Sequence, residues 1–102
     1  MSTVSDIPGH DTPPILLKVR SNSDVKRIAV AIQANIDKVD YPVIRAIGHG
    51  AVGQASKAIA IASGRVAQNG KNLAVTVGFE SVPSDREEGA MISAISYRCF
   101  LR

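Results

Sequence analysis

Residues 43–64 read VIRAIGHGAVGQASKAIAIASG, and this stretch decides the fold. Residues 43–47 are almost wholly apolar, the pattern of a central strand. Gly48-His49-Gly50 follows as a turn. Residues 51–67 then read as a helix dense in small residues, with Ala51, Gly53, Ala55, Ala58, Ala60 and Ala62. Small side chains let a helix lie close to a sheet or to another helix. Gly inside a helix costs about 1 kcal/mol against Ala, so Gly64 is a candidate end.

The flanks repeat the alternation. Residues 15–20 place Ile15, Leu17 and Val19 on one face and Leu16, Lys18 and Arg20 on the other, as a strand does. Ser21, Asn22 and Ser23 are candidate helix caps, and Asp24 falls in the first turn, where the helix dipole favours negative charge. From 24 to 39, Val25, Ile28, Ala29, Ile32, Ile36 and Val39 keep helical spacing. Pro42 pushes Tyr41 out of helical geometry and ends that helix. Residues 68–72 turn the chain. Leu73, Val75, Val77 and Phe79 share one strand face, with Ala74, Thr76 and Gly78 on the other. Residues 81–89, with Pro83, read as a polar hairpin loop, and 90–101 as the last strand.

The order is therefore βαβαββ. The expected fold is α/β, in detail an α+β two-layer sandwich: a mixed four-stranded sheet with two helices on one face. Residues 1–14 hold Pro8, Gly9, Pro13 and Pro14 among polar residues. They are expected to be a disordered or extended tail, leaving 15–102 as one domain.

Composition agrees with a single small core. The chain has 102 residues, 45% of them hydrophobic but only 4% aromatic and none Trp, so Ile, Val, Leu and Ala must fill the interior. A chain this long buries somewhat over ~60% of its unfolded surface and needs no disulfide or metal to fold. Cys99 is the one cysteine, which excludes an intrachain disulfide and fits a reducing cytosol. No run approaches the ~18 apolar residues of a membrane helix. The first 14 residues lack a signal peptide's basic and apolar regions. A cytoplasmic, unprocessed protein with no membrane partner is expected.

The formal net charge is +3, unevenly spread. Between 15 and 79 stand Lys18, Arg20, Lys26, Arg27, Lys38, Arg45, Lys57, Arg65 and Lys71 against Asp24, Asp37 and Asp40. Residues 80–89 reverse the sign through Glu80, Asp85, Glu87 and Glu88 against Arg86. A basic body attracts phosphates.

Gly48 to Gly53 is literally G-x-G-x-x-G, after a strand and opening a helix, as the dinucleotide-binding fingerprint requires. The fingerprint also needs an acidic residue about 20 residues on, and 69–75 offers none. A tight strand-to-helix turn, with amides open to a phosphate, is the better reading. No catalytic set accompanies it. His10 lies in the tail, His49 stands alone in the body, and a cysteine in a last strand is usually a buried, inert thiol. No spacing suggests a metal site or a cofactor, so the chain reads as a binding module and not an enzyme.

Residues 43–64 also carry a resemblance. They are similar to the stage V sporulation protein S family, whose pattern there is approximately Q-A-I-G-A-G-A-x-N-Q-A-x-K-A-x-A-I-A-R-G. The matches are Ala46-Ile47-Gly48, Gly50-Ala51, Gln54-Ala55, Lys57-Ala58, Ala60-Ile61-Ala62 and Gly64. Leu17-Lys18-Val19 fits the family's first strand, and Gly70, Leu73 and Phe79 its third. That family is similar in fold to Alba-type chromatin and RNA-binding proteins, which are dimers. The resemblance implies an Alba-like fold, nucleic-acid (DNA or RNA) binding, a homodimer or higher homo-oligomer, and a role in developmental regulation such as sporulation. Arg45, His49, Gly53 and Ser63 depart from the family's Gln, Ala, Asn and Arg. The acidic 81–89 hairpin departs from the basic arm of Alba proteins. Both departures point to phosphate contact rather than minor-groove insertion.

The candidate nucleic-acid-binding residues are Lys18, Arg20, Arg45, His49 and Lys57, with the Gly48 and Gly50 amides and with Lys26 and Arg27 in support. Reversing Arg45 and Lys57 to Glu is expected to abolish binding with an unchanged circular dichroism spectrum. The competing readings are a protein-interaction or oligomerisation scaffold and, behind it, dinucleotide binding at Gly48–Gly53.

Overall fold

Six elements follow one another in a computed structural model that describes residues 15–38 and 41–102. They are β1 (Ile15–Val19), α1 (Val25–Ile36), β2 (Pro42–Ala46), α2 (His49–Ala67), β3 (Leu73–Pro83) and β4 (Met91–Leu101). The sheet order is β1-β2-β4-β3. β1 and β2 are parallel, and β4 runs antiparallel to both its neighbours. The apolar second strand is central, as its composition requires.

Both helices cover one face of the sheet. Val19, Ile44, Ala46, Tyr97 and Cys99 project from the strands into a core shared with Ala29, Ile32 and Ile36 of α1 and Ala51, Ala55, Ala62 and Val66 of α2. The buried side of α2 is almost entirely alanine, which brings its backbone close to β2 and α1. The fold is the expected two-layer α+β sandwich. Burial pushes the Cys99 thiol up to about 11, because the apolar core disfavours the thiolate.

The boundaries differ from the sequence reading in four places. The cap of α1 is Asp24, not Ser21, Asn22 or Ser23; its carboxylate accepts the Lys26 and Arg27 amides. α1 ends at Ile36, and the proposed last helical position, Val39, lies outside the described residues, as does the 1–14 tail. α2 starts at His49, so Gly48 alone forms the turn, and Gly64 does not end the helix. β3 continues to Pro83, where a loop had been expected from 81. Its register pairs Val82 with Ile92 and Pro83 with Met91, and Val82 is buried. Pro83 is tolerated because an edge strand has no further neighbour to accept an N–H.

The long hairpin also explains a burial pattern that alternation alone misses. Val77 and Phe79 lie on the helix-side face, opposite Tyr97 and Ile95. Yet they are 63% and 84% exposed, whereas Leu73 and Val75 earlier on the same strand pack against the core, so the cover ends part-way along β3. Met91, farther out on the same face, is 58% exposed.

Candidate nucleic-acid interface

β1 and β2 are parallel and in register, with Val19 beside Ala46, so both strands deliver the chain to their helices at the same end of the sheet. There the turn after β1 packs on the start of α2. A side chain at Gly50 has no room, since a Cβ placed there would stand 2.6 Å from Ser21 Cβ. Gln54 donates from Nε2 to the Ser23 carbonyl at 2.8 Å. The Ser23 hydroxyl in turn accepts the Arg20 amide at 2.8 Å. These contacts fix the 20–23 loop, and Arg20 with it, against the N-terminus of α2.

The two helix N-termini differ. Asp24 caps α1, while α2 begins at Gly48 with φ 89° and ψ 160° and no side-chain cap. That backbone conformation is essentially reserved for Gly. The first amides of α2 therefore face outward at the positive end of the helix dipole. Arg20, Lys26, Arg27, Gly48, His49 and Gly50 gather here, all exposed. Among the described residues, neither Arg20 nor Lys26 nor Arg27 has an ion-pair partner. Helix N-termini with surplus cations attract phosphate.

The remaining candidates lie elsewhere. Lys57 is exposed on α2; with His49 and Gly53 it keeps an i, i+4, i+8 line, about 12 Å along the axis from His49. Lys18 and Arg45 are paired neighbours on the sheet face opposite the helices. Arg45 is committed: its Nε and Nη2 donate to the two Glu80 carboxylate oxygens at 3.1 and 2.7 Å. Ser96 Oγ donates to the same carboxylate at 3.1 Å. This bidentate bridge crosses β4 and joins the central strand to the edge strand.

The Arg45 guanidinium, helped by Ser96 and opposed by partial burial, holds the Glu80 carboxyl below its ordinary 4.5. A carboxyl depressed in the folded state adds stability above its unfolded value, and that stability is lost as pH falls through the folded value. Arg45→Glu sets two carboxylates face to face, so we expect a loss of about 1–2 kcal/mol, discounted for the solvent that reaches Glu80. Glu80→Gln should flatten the stability curve below pH 4.5. Calorimetric melting temperatures matching the parent for both variants would show the bridge to be idle. Reversing Arg45 is thus expected to lower stability as well as binding, even where the circular dichroism spectrum of the folded protein is unchanged.

A family model described as Stage V sporulation protein S (SpoVS) matches residues 15–101. The chain belongs to this family. Among solved structures it is similar to Alba from Thermoplasma volcanium, at 12% identity and a TM-score of 0.53. The match covers 84% of this chain and 96% of that one. At that identity the likeness shows the fold, which in this SpoVS chain is Alba-like.

Within the SpoVS chain the G-x-G-x-x-G match loses its dinucleotide rationale. The third glycine of the fingerprint serves close helix–strand packing, but a Cβ at Gly53 would meet nothing within 4 Å. The close approach is at Gly50, to the neighbouring loop. The nearest later acid, Glu80, sits on the far edge strand and is engaged by Arg45. Sequence reasoning gave no role to Gln54, which positions the loop, or to Glu80, which occupies Arg45. Gln54 was visible as part of the matched pattern. Glu80 became a partner only through the β3–β4 register.

Proposed function

We propose that this SpoVS-family protein is a non-enzymatic, cytoplasmic nucleic-acid-binding regulator that holds phosphates at the shared N-terminal end of α1 and α2. One observation carries the reading: an uncapped helix N-terminus meets Arg20, Lys26 and Arg27, none of them ion-paired among the described residues. The Gly48 and Gly50 backbone and His49 line the same end and Lys57 extends it along α2, while Lys18 and Arg45 add positive charge from the opposite sheet face. Such contacts give affinity and position rather than sequence choice. Resemblance to Alba-type nucleic-acid-binding proteins supports the same direction.

The acidic hairpin tip limits the footprint. β4 runs antiparallel to β2 with Ile95 beside Ala46, so residues before Ile95 project past the end where the cations gather. Asp85, Glu87 and Glu88 lie at that tip. They repel a phosphate chain on that side, which favours surface contact over insertion of the arm into a groove. Fluorescence anisotropy with labelled duplex DNA and single-stranded RNA, at low and moderate salt, tests the reading. Salt-sensitive binding is expected. No binding to either polymer at low salt would overturn it in favour of the scaffold reading.

The working form is proposed to be a homodimer. Val77, Phe79 and Met91 form an apolar stripe on the hairpin that none of the described residues covers, and such stripes mark association sites. Phe79→Glu is expected to convert a dimer to a monomer in sedimentation velocity, with the melting temperature little changed because Phe79 is already 84% exposed. A monomeric parent protein would remove the dimer from the proposal.

A further inference from the structure

Both helices pack on the opposite side of the sheet from Lys18 and Arg45, and the chemistry of this second face is specific. It carries Lys18, Arg45 and Arg98 against one carboxylate, Glu80. A cleft of about 430 Å³ lies over it, bounded by Tyr41, Arg45, Thr76, Gly78, Glu80 and Arg98. Gly78 leaves the floor open, since a Cβ there would meet nothing within 4 Å. At one side the Arg98 guanidinium is held over the Tyr41 ring, 5.5 Å from its centroid, while the residue stays exposed.

We infer that this face is a stacking platform for a single-stranded polynucleotide, an inference that rests on the phosphate-binding reading and adds a second surface to it. The surplus of cations selects a polyanion. The Arg98–Tyr41 pair selects one with free planar bases, because guanidinium planes and aromatic rings hold unstacked bases. A duplex presents only base edges and cannot use it. Lys18 stands two strand spacings from β4, roughly 10 Å, and takes the phosphate beside the stacked base. Arg20, just past the end of β1, continues the charge toward the α2 N-terminus. A strand laid along the open face thus runs on into the helix-end cluster. Arg45 and Glu80 form the cleft's polar wall, offering a donor and an acceptor to a base edge.

The chain has two tyrosines and no Trp, and Tyr97 is buried out of a ligand's reach, so both emit but a change in emission caused by a base stacking on the surface reports on Tyr41. The probes are oligo(dT), oligo(U) and a duplex, each about twelve nucleotides long, matched to typical single-strand site sizes. Quenching by the single strands and not by the duplex is expected, and the stronger of dT and U names the polymer. Tyr41→Ala and Arg98→Ala should each weaken single-strand binding on the order of tenfold while duplex affinity stays within about twofold. Tyr41→Phe keeps the ring and should keep the affinity, which separates stacking from misfolding. If Tyr41→Ala and Arg98→Ala leave single-strand affinity unchanged while the parent still binds duplex with salt dependence, the platform falls and the phosphate reading stands. If neither polymer binds the parent, both fall.

Discussion

Reversing Arg20, Lys26 and Arg27 together to Glu is expected to lower nucleic-acid affinity on the order of a thousandfold at low salt, through three lost phosphate contacts and the repulsion that replaces them. The parent's log–log salt slope should flatten by roughly three, about 0.9 for each contact on duplex DNA. The fold should not suffer. All three residues are exposed, and none forms an ion pair among the described residues. Asp24 takes the backbone amides of Lys26 and Arg27, which any residue supplies. Acidic side chains in the first turn of α1 interact favourably with the helix dipole, by about 0.3–1 kcal/mol each. The triple variant should therefore melt at or above the parent temperature. A large loss of affinity with undiminished stability can come only from the surface. Unchanged affinity would remove this end of the molecule from the interface.

Arg45 shows why that choice of residues depends on the structure. In sequence it is a cation beside the glycine turn and looks equivalent to Arg20. In space it points to the other side of the sheet and is bound through two nitrogens to Glu80. Its reversal changes stability and binding together, so it cannot separate them. The difference lies in the β3–β4 register, which brings Glu80 beside Ala94 and Ser96, and nothing local to Arg45 encodes that register.

The fold itself was legible because its signals are local. The apolar run at 43–47, helical spacing before and after it, and alternation from 73 onward each specify an element without reference to distant residues. That β2 is an inner strand followed from its apolar composition; that β4 is the other did not, since Ser93, Ser96 and Arg98 give it no such run. The end of β3 was not legible. Ser81, Pro83 and Ser84 look like a loop, and only pairing with Ile92 and Met91 holds 82 and 83 in the strand. The exposure of Val77 and Phe79 was hidden for a related reason: alternation tells which face a residue takes, not whether a helix reaches that far. Of the site, the cations and the glycine turn were visible. Their division between the helix end and the open sheet face, and the Arg98–Tyr41 pair, depend on strand order and direction.

Gly50→Ala and Gly53→Ala make the same chemical change three residues apart on one helix, and they are expected to act in opposite directions. At Gly53 a Cβ meets nothing within 4 Å, so Ala should gain about 0.5–1 kcal/mol by restricting the unfolded chain and favouring helix. At Gly50 the Cβ would lie 2.6 Å from Ser21 Cβ and 3.5 Å from Ser21 Cα. Those atoms belong to the loop itself and not to a side-chain tip that can swing aside, so loop or helix must move. The cost is about 1–3 kcal/mol, as for other overpacked contacts. At this chain length each kcal/mol shifts the melting temperature by roughly 4–8 °C, so the two variants should separate clearly in a thermal scan. Binding adds a second readout. Moving the loop off α2 strains the Gln54–Ser23 bond and carries Arg20 away from the helix N-terminus. Gly50→Ala should thus lose affinity at temperatures where it is fully folded, and Gly53→Ala should not lose affinity through the loop. Equal affinity for Gly50→Ala and the parent would mean that Arg20 and the α2 amides act independently, and the loop contact would then be structural alone.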